Sequence, residues 1–222
     1  MNPARTMGRI VGVLLLVQLA GLIVPFVMLH ALYAPPGFLQ QSANSAGVIR
    51  WALLLLLANG ALTTGISVFV HADLRPTGRG LAQWLIVLGA LMVALQAVDN
   101  THVMTMVSLS RQYAGATPAE RQVLEIVGPV AAAARVAAHY SVLLVIGAWM
   151  LIFYGALWRA RLVPTVLPAF GVVAAALHLA GVSLPVLLGY HSILQMGMVL
   201  AASHGALILW LLARGFEARP TT

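Results

Sequence analysis

Six stretches of the chain stay apolar long enough to cross a bilayer, and between them polar residues gather in short clusters with Pro and Gly. About 20 apolar residues span the hydrocarbon as a helix. Continuous apolar runs of that length, without strand-like alternation, predict helices over about 10–33, 48–70, 81–107, 130–157, 166–188 and 191–213. Ala34-Pro35-Pro36-Gly37 breaks the first run, and a polar loop follows to Ser45. His71 to Gly80, with Pro76, turns the chain between the second and third runs. Trp158-Arg159-Ala160-Arg161 closes the fourth before Pro164, and Gly189-Tyr190 makes a tight turn into the sixth. After a loop at Tyr113 to Pro118, Thr117-Pro118-Ala119-Glu120 reads as a helix start, with Pro in the first turn and Glu following. It predicts a short interfacial helix over 119–127 that leads through Gly128-Pro129 into the fourth span. The fold class is all-α, a polytopic transmembrane bundle forming one domain over 1–222. Arg5 and Arg9 before the first run would also suit a signal peptide. The length of that run, and the lack of a small-x-small site after His30, predict a retained helix.

Composition agrees with this pattern. The 222 residues are 61% hydrophobic and 8% charged, with a mean hydropathy of +0.97. A soluble domain is nearer a quarter charged, and such a chain could not cover itself with polar groups in water. The formal net charge of +7 comes entirely from Arg, with no Lys, and most of these residues flank apolar runs. They read as topology signals and contacts to lipid phosphates, not as a nucleic-acid surface. With no Cys, disulfides, thiolate metal sites and cysteine nucleophiles are excluded. If the N-terminus is inside, the cytoplasmic side holds Arg5, Arg9, Arg75, Arg79, Arg159, Arg161, Arg214 and Arg219. The other side holds only Arg50, Arg111, Arg121 and Arg135. The excess places both termini in the cytoplasm.

Polar residues inside the spans are costly and usually face a bundle interior or water. Gln96, Asp99, His102 and Met106 share one face of the third span, and Arg135 with His139 one face of the fourth. His191, Gln195 and Met198 do the same at the start of the sixth. Under the Arg-based topology all of these fall in the outer half of the membrane, near Met28, His30 and Arg50. Asp99, His102, Arg135, His139, His191 and Gln195 are therefore the candidate ligand-binding or polar pocket.

Several chemistries fit those residue types. A structural cluster would pair Asp99 with Arg135 and hydrogen-bond the histidines between helices. A metal or haem site would use His102, His139 and His191, with Met106 and Met198 as thioether neighbours, and copper, zinc or haem as the candidate cofactor. No complete ligand motif such as H-E-x-x-H is present. A membrane-embedded hydrolase or redox enzyme would use Asp99 to orient His102 or His139 as a general base. Ser141 and Ser192 are available as nucleophiles but lack a G-x-S-x-G flank. Passage of an ion or small molecule would call for an oligomer of a six-span chain. An accessory subunit of a larger membrane complex is the remaining class, with lipids and a homo-oligomer or complex as partners.

His178 and His204 lie deeper, and with Gln18, Asn59, Thr63 and Thr64 they read as interhelical hydrogen-bonding groups. Small residues recur at Gly60 and Thr64, at Gly147, Leu151 and Gly155, and at Gly197, Ala201 and Gly205, a spacing that permits close helix approach.

Arg9-Ile10-Val11-Gly12 opens the first span, Phe153-Tyr154-Gly155-Ala156-Leu157 ends the fourth, and Arg161-Leu162-Val163-Pro164 and Leu167-Pro168-Ala169-Phe170-Gly171 follow. In this order the chain resembles a family of bacterial six-span inner-membrane proteins catalogued as a domain of unknown function. The resemblance implies a six-helix fold in a bacterial cytoplasmic membrane and no particular chemistry.

Overall fold

A computed structural model describes residues 3–35, 37–188 and 194–217. All regular structure among them is helical. Helix α1 is Pro3–Met28 and ends in a 3₁₀ turn, Leu29–Leu32; α2 is the short Phe38–Gln41. Then come α3, Ala46–Leu74; α4, Arg79–Gly115; α5, Pro118–Ala160; α6, Val166–Leu188; and α7, Leu194–Arg214. All but α2 are long and apolar enough to cross a membrane, giving six spans. The chain is thus an all-helical, multi-pass membrane protein.

One boundary differs from the sequence reading. The short helix expected over 119–127 is not separate: it is the first part of α5, which runs unbroken through Pro129 for 43 residues. Thr117 and Glu120 supply the reason. The Thr117 backbone N–H and hydroxyl donate to Glu120 Oε2 at 2.8 and 2.7 Å, making the glutamate half of a capping box that anchors the helix start eleven residues before Pro129. Extending an existing helix is easier than nucleating another, and Pro129 removes only one hydrogen bond at an exposed position. The predicted loop from Ala34 to Ser45 also contains α2. The Gly189-Tyr190 turn lies outside the described residues.

The chain divides into two compact units. The first is Met1–Leu19, Ala61–Met92 and Leu143–Thr222; the second is Ala20–Gly60 and Val93–Val142.

The core of the first unit is built around Trp149, Phe153, Tyr154 and Leu157 of α5, packed with Leu15, Ile66, Leu85, Leu207 and Leu211. Trp149 stacks on Phe153 at 4.9 Å. Polar groups are buried with these residues and paired to one another. The Trp149 indole donates to Ser67 Oγ (2.8 Å), Ser67 Oγ donates to the Thr63 carbonyl (2.8 Å), and Gln18 Nε2 donates to Thr63 Oγ1 (2.5 Å). Large apolar side chains point outward instead, Leu209 at 70% exposure among them. In lipid the outer face needs no polar cover, while every buried polar group needs a partner. Helices approach closely where side chains are missing: a Cβ on Gly171 of α6 would overlap the Tyr154 ring, and one on Gly89 of α4 would lie 2.9 Å from Thr64 Cα of α3.

In the second unit Phe38, Leu39, Ile49, Leu53, Val103 and Met106 form the core. Ser110 of α4 anchors the α2 segment: its buried hydroxyl donates to the Leu39 carbonyl at 2.8 Å and accepts the Ala43 N–H at 2.8 Å. Asn100, held by Gln96 (2.9 Å), donates to the Leu53 carbonyl of α3 at 3.0 Å. These contacts fix the face of α4 that carries Asp99.

Candidate functional site

Asp99 lies on α4 between Gln96 and His102 and is 1% exposed. A carboxylate so buried needs a countercharge and a hydrogen-bond donor, and α5 supplies both from one helical face, Arg135 and His139, four residues apart. Arg135 Nε stands 3.2 Å from Asp99 Oδ1, and His139 Nδ1 stands 3.2 Å from Asp99 Oδ2. Arg135 is buried, whereas the His139 side chain is 38% exposed. Arg135 Cζ also sits 5.3 Å over the ring of Tyr33, just past the 3₁₀ turn, so the guanidinium lies between a carboxylate and an aromatic face.

The two contacts to Asp99 differ in kind. A carboxylate only accepts, so Nδ1 of His139 carries the proton in this pair and Nε2 is left with its lone pair in the neutral ring. Arg135 Nε–H does not align with Oδ1, and among the described residues both atoms lack a hydrogen bond although their charges are in contact. The site therefore combines a fixed imidazole, one guanidinium and a buried carboxylate oxygen with hydrogen-bonding capacity left over. Such a group can hold a small polar ligand, accept a proton at Nε2, or offer Nε2 to a metal ion.

Of the residues that the sequence proposes, Asp99, Arg135 and His139 come together. His102, half-buried one turn farther along α4, makes no side-chain hydrogen bond or ion pair among the described residues. His191 lies outside the described residues, and so does the side chain of Gln195. Among the described residues no three His, Asp or Glu side chains stand close enough to hold a metal ion. Arg50 lines a cleft of about 510 Å³ with Leu53, Leu54, Asn100, Thr101 and Met104.

The deeper histidines hydrogen-bond between helices: His178 Nε2 of α6 meets the Leu143 carbonyl of α5 at 3.1 Å, and His204 Nδ1 of α7 meets Tyr154 Oη of α5 at 3.2 Å. The sequence reading missed Tyr33. A tyrosine at the end of a predicted span, in a chain with an intramembrane Arg, is the signal that could have suggested it.

Residues 10–215, nearly the whole described chain, match the family described as Domain of unknown function (DUF4386). The chain belongs to this family. No curated protein and no solved structure matches it significantly. The DUF4386 match spans all six helices and both compact units, so the Asp99 cluster lies within the family's domain.

Proposed function

We propose that this is a multi-pass protein of a bacterial cytoplasmic membrane that binds a small polar ligand in the outer half of the bilayer, where Asp99 positions Arg135 and His139. The observation that carries this reading is the asymmetry of the cluster. A 1% exposed carboxylate holds a buried guanidinium on one oxygen and an imidazole with a 38% exposed side chain on the other. A purely structural ion pair gains nothing from an open third member, whereas a binding site needs a group that is held from behind and free in front. His139 Nε2 would meet the ligand, Arg135 would supply positive charge, and Asp99 would set the tautomer and direction of the ring.

The lack of Cys makes the test direct. In intact cells, a membrane-impermeant maleimide added from outside should modify His139→Cys, while Asp99→Cys resists it. Protection of both positions, or equal labelling of both, would count against a site opening outward at His139. A visible-range spectrum and metal analysis of wild type and His139→Ala then separate a copper, zinc or haem occupant from an organic one.

A further inference from the structure

A second polar site stands where α7 leaves the bundle, remote in sequence from the Asp99 cluster and independent of it. Arg5 and Arg9 lie one turn apart on α1, so they share a face. Arg214 is the last residue of α7. Gly215 then turns the chain in a left-handed conformation (φ +72°), its N–H donating to the Leu211 carbonyl at 2.9 Å. The chain beyond is pinned against α1: a Cβ on Gly215 would overlap the Arg5 carbonyl, and one on Gly8 would overlap the backbone of Phe216. Phe216 is 2% exposed, and the Glu217 N–H donates to the Leu162 carbonyl at 2.8 Å.

This packing assembles a pocket of about 430 Å³ whose lining includes Arg5, Arg9, Arg214, Trp210, Phe216 and Glu217. Arg9 donates one N–H to the Ala213 carbonyl at 3.2 Å, near the negative end of the α7 dipole. Among the described residues none of the three arginines is ion-paired, and Glu217 in the same pocket does not neutralise them. The Trp210 indole N–H is buried without an acceptor among the described residues. Three arginines, with Trp210 and Phe216 in the walls, thus border one space at the ends of two membrane-crossing helices.

From this we infer that the pocket binds phosphate, either the phosphodiester of an anionic phospholipid headgroup or free inorganic phosphate. Guanidinium forks match phosphate oxygens in geometry as well as charge. Basic pockets between transmembrane helices at a membrane face suit anionic headgroups. Trp210 would flank the glycerol end of a lipid, since an indole is at home where one side is apolar and the other wet.

The test uses the full chain in detergent, read by native mass spectrometry and by the thermal midpoint. Phosphatidylglycerol, phosphatidylcholine and sodium phosphate are the probes. Phosphatidylglycerol should remain bound and raise the midpoint more than phosphatidylcholine does. Retention that millimolar sodium phosphate fails to displace would assign the site to lipid, and saturable stabilisation by sodium phosphate alone would assign it to the free ion. Each of Arg5→Gln, Arg9→Gln and Arg214→Gln should weaken binding about fivefold, the effect of one surface charge on an anionic lipid. Glu217→Gln removes the repelling carboxylate without touching its backbone bond, and should tighten binding by a similar factor. Should Arg5→Gln or Arg9→Gln fail to fold, the opposite effects of Arg214→Gln and Glu217→Gln still carry the test. Absence of binding by both phosphatidylglycerol and phosphate, or affinities unchanged in those two variants, would overturn the assignment.

Discussion

Buried to 1% exposure, Asp99 relies on the Arg135 guanidinium for countercharge and on the His139 Nδ1–H for a hydrogen bond in place of water. Removing one member of such a pair leaves a buried charge alone and costs about 3–5 kcal/mol, whereas removing both leaves nothing to be balanced. Asp99→Ala and Arg135→Ala should therefore each lower stability strongly. The double variant should lose clearly less than the sum of the two, as read from unfolding midpoints in detergent. Strict additivity would mean that the charges are in contact without energetic coupling. Tyr33 adds a third partner for Arg135, so Tyr33→Leu belongs in the same series as a probe of the aromatic face.

Helix contacts turn on which glycines meet a neighbour, and spacing alone did not identify them. Gly171 lies against the fully buried Tyr154 ring, while Gly155 has open space where a Cβ would go. Gly171→Ala should force α5 and α6 apart and cost about 1–3 kcal/mol, the usual penalty of overpacking. Gly155→Ala should be neutral or stabilising, by up to about 1 kcal/mol from helix propensity. Thermal midpoints of the two single variants check this, and equal losses would refute it. In the sequence, Gly147, Gly155 and Gly205 all carried small-residue spacing, yet among the described residues only Gly147 of these three faces a neighbour, Leu179 and His178. Spacing gives the face of a helix but not what stands opposite it. For the same reason six spans were legible from apolar runs, which a bilayer alone dictates, but the continuity of α5 was not, because Pro129 reads as a break unless the capping box before it is weighed. The Asp99, Arg135 and His139 set was legible from helical periodicity plus the need of a buried acid for countercharge. Tyr33 was not, since its place over Arg135 depends on the irregular turn after α1.

Across the whole molecule the distribution of Arg sets the expected orientation. With eight of twelve on one side, both termini should face the cytoplasm. Single cysteines at Ala72 and Gln112, exposed positions in the last turns of α3 and α4, provide the measurement. An impermeant reagent should label Gln112→Cys from outside in intact cells and leave Ala72→Cys untouched until the membrane is opened; the reverse would invert the topology and move the Asp99 site to the other face. Helices α4 and α5, at 37 and 43 residues, are each about twice the length needed to cross hydrocarbon.

The seating of Gly215 and Phe216 on Arg5 and Gly8 carries a different consequence. The two ends of the described fold touch, so a linker of a few residues from Glu217 back to Pro3 would close the polypeptide into a ring. New ends could then be opened in the exposed segment between Gly115 and Pro118 without cutting a helix. Each buried side chain would keep its neighbours in such a permuted chain. What this bundle requires is the cyclic order of its helices, and a gene that began at α5 would encode the same set of contacts.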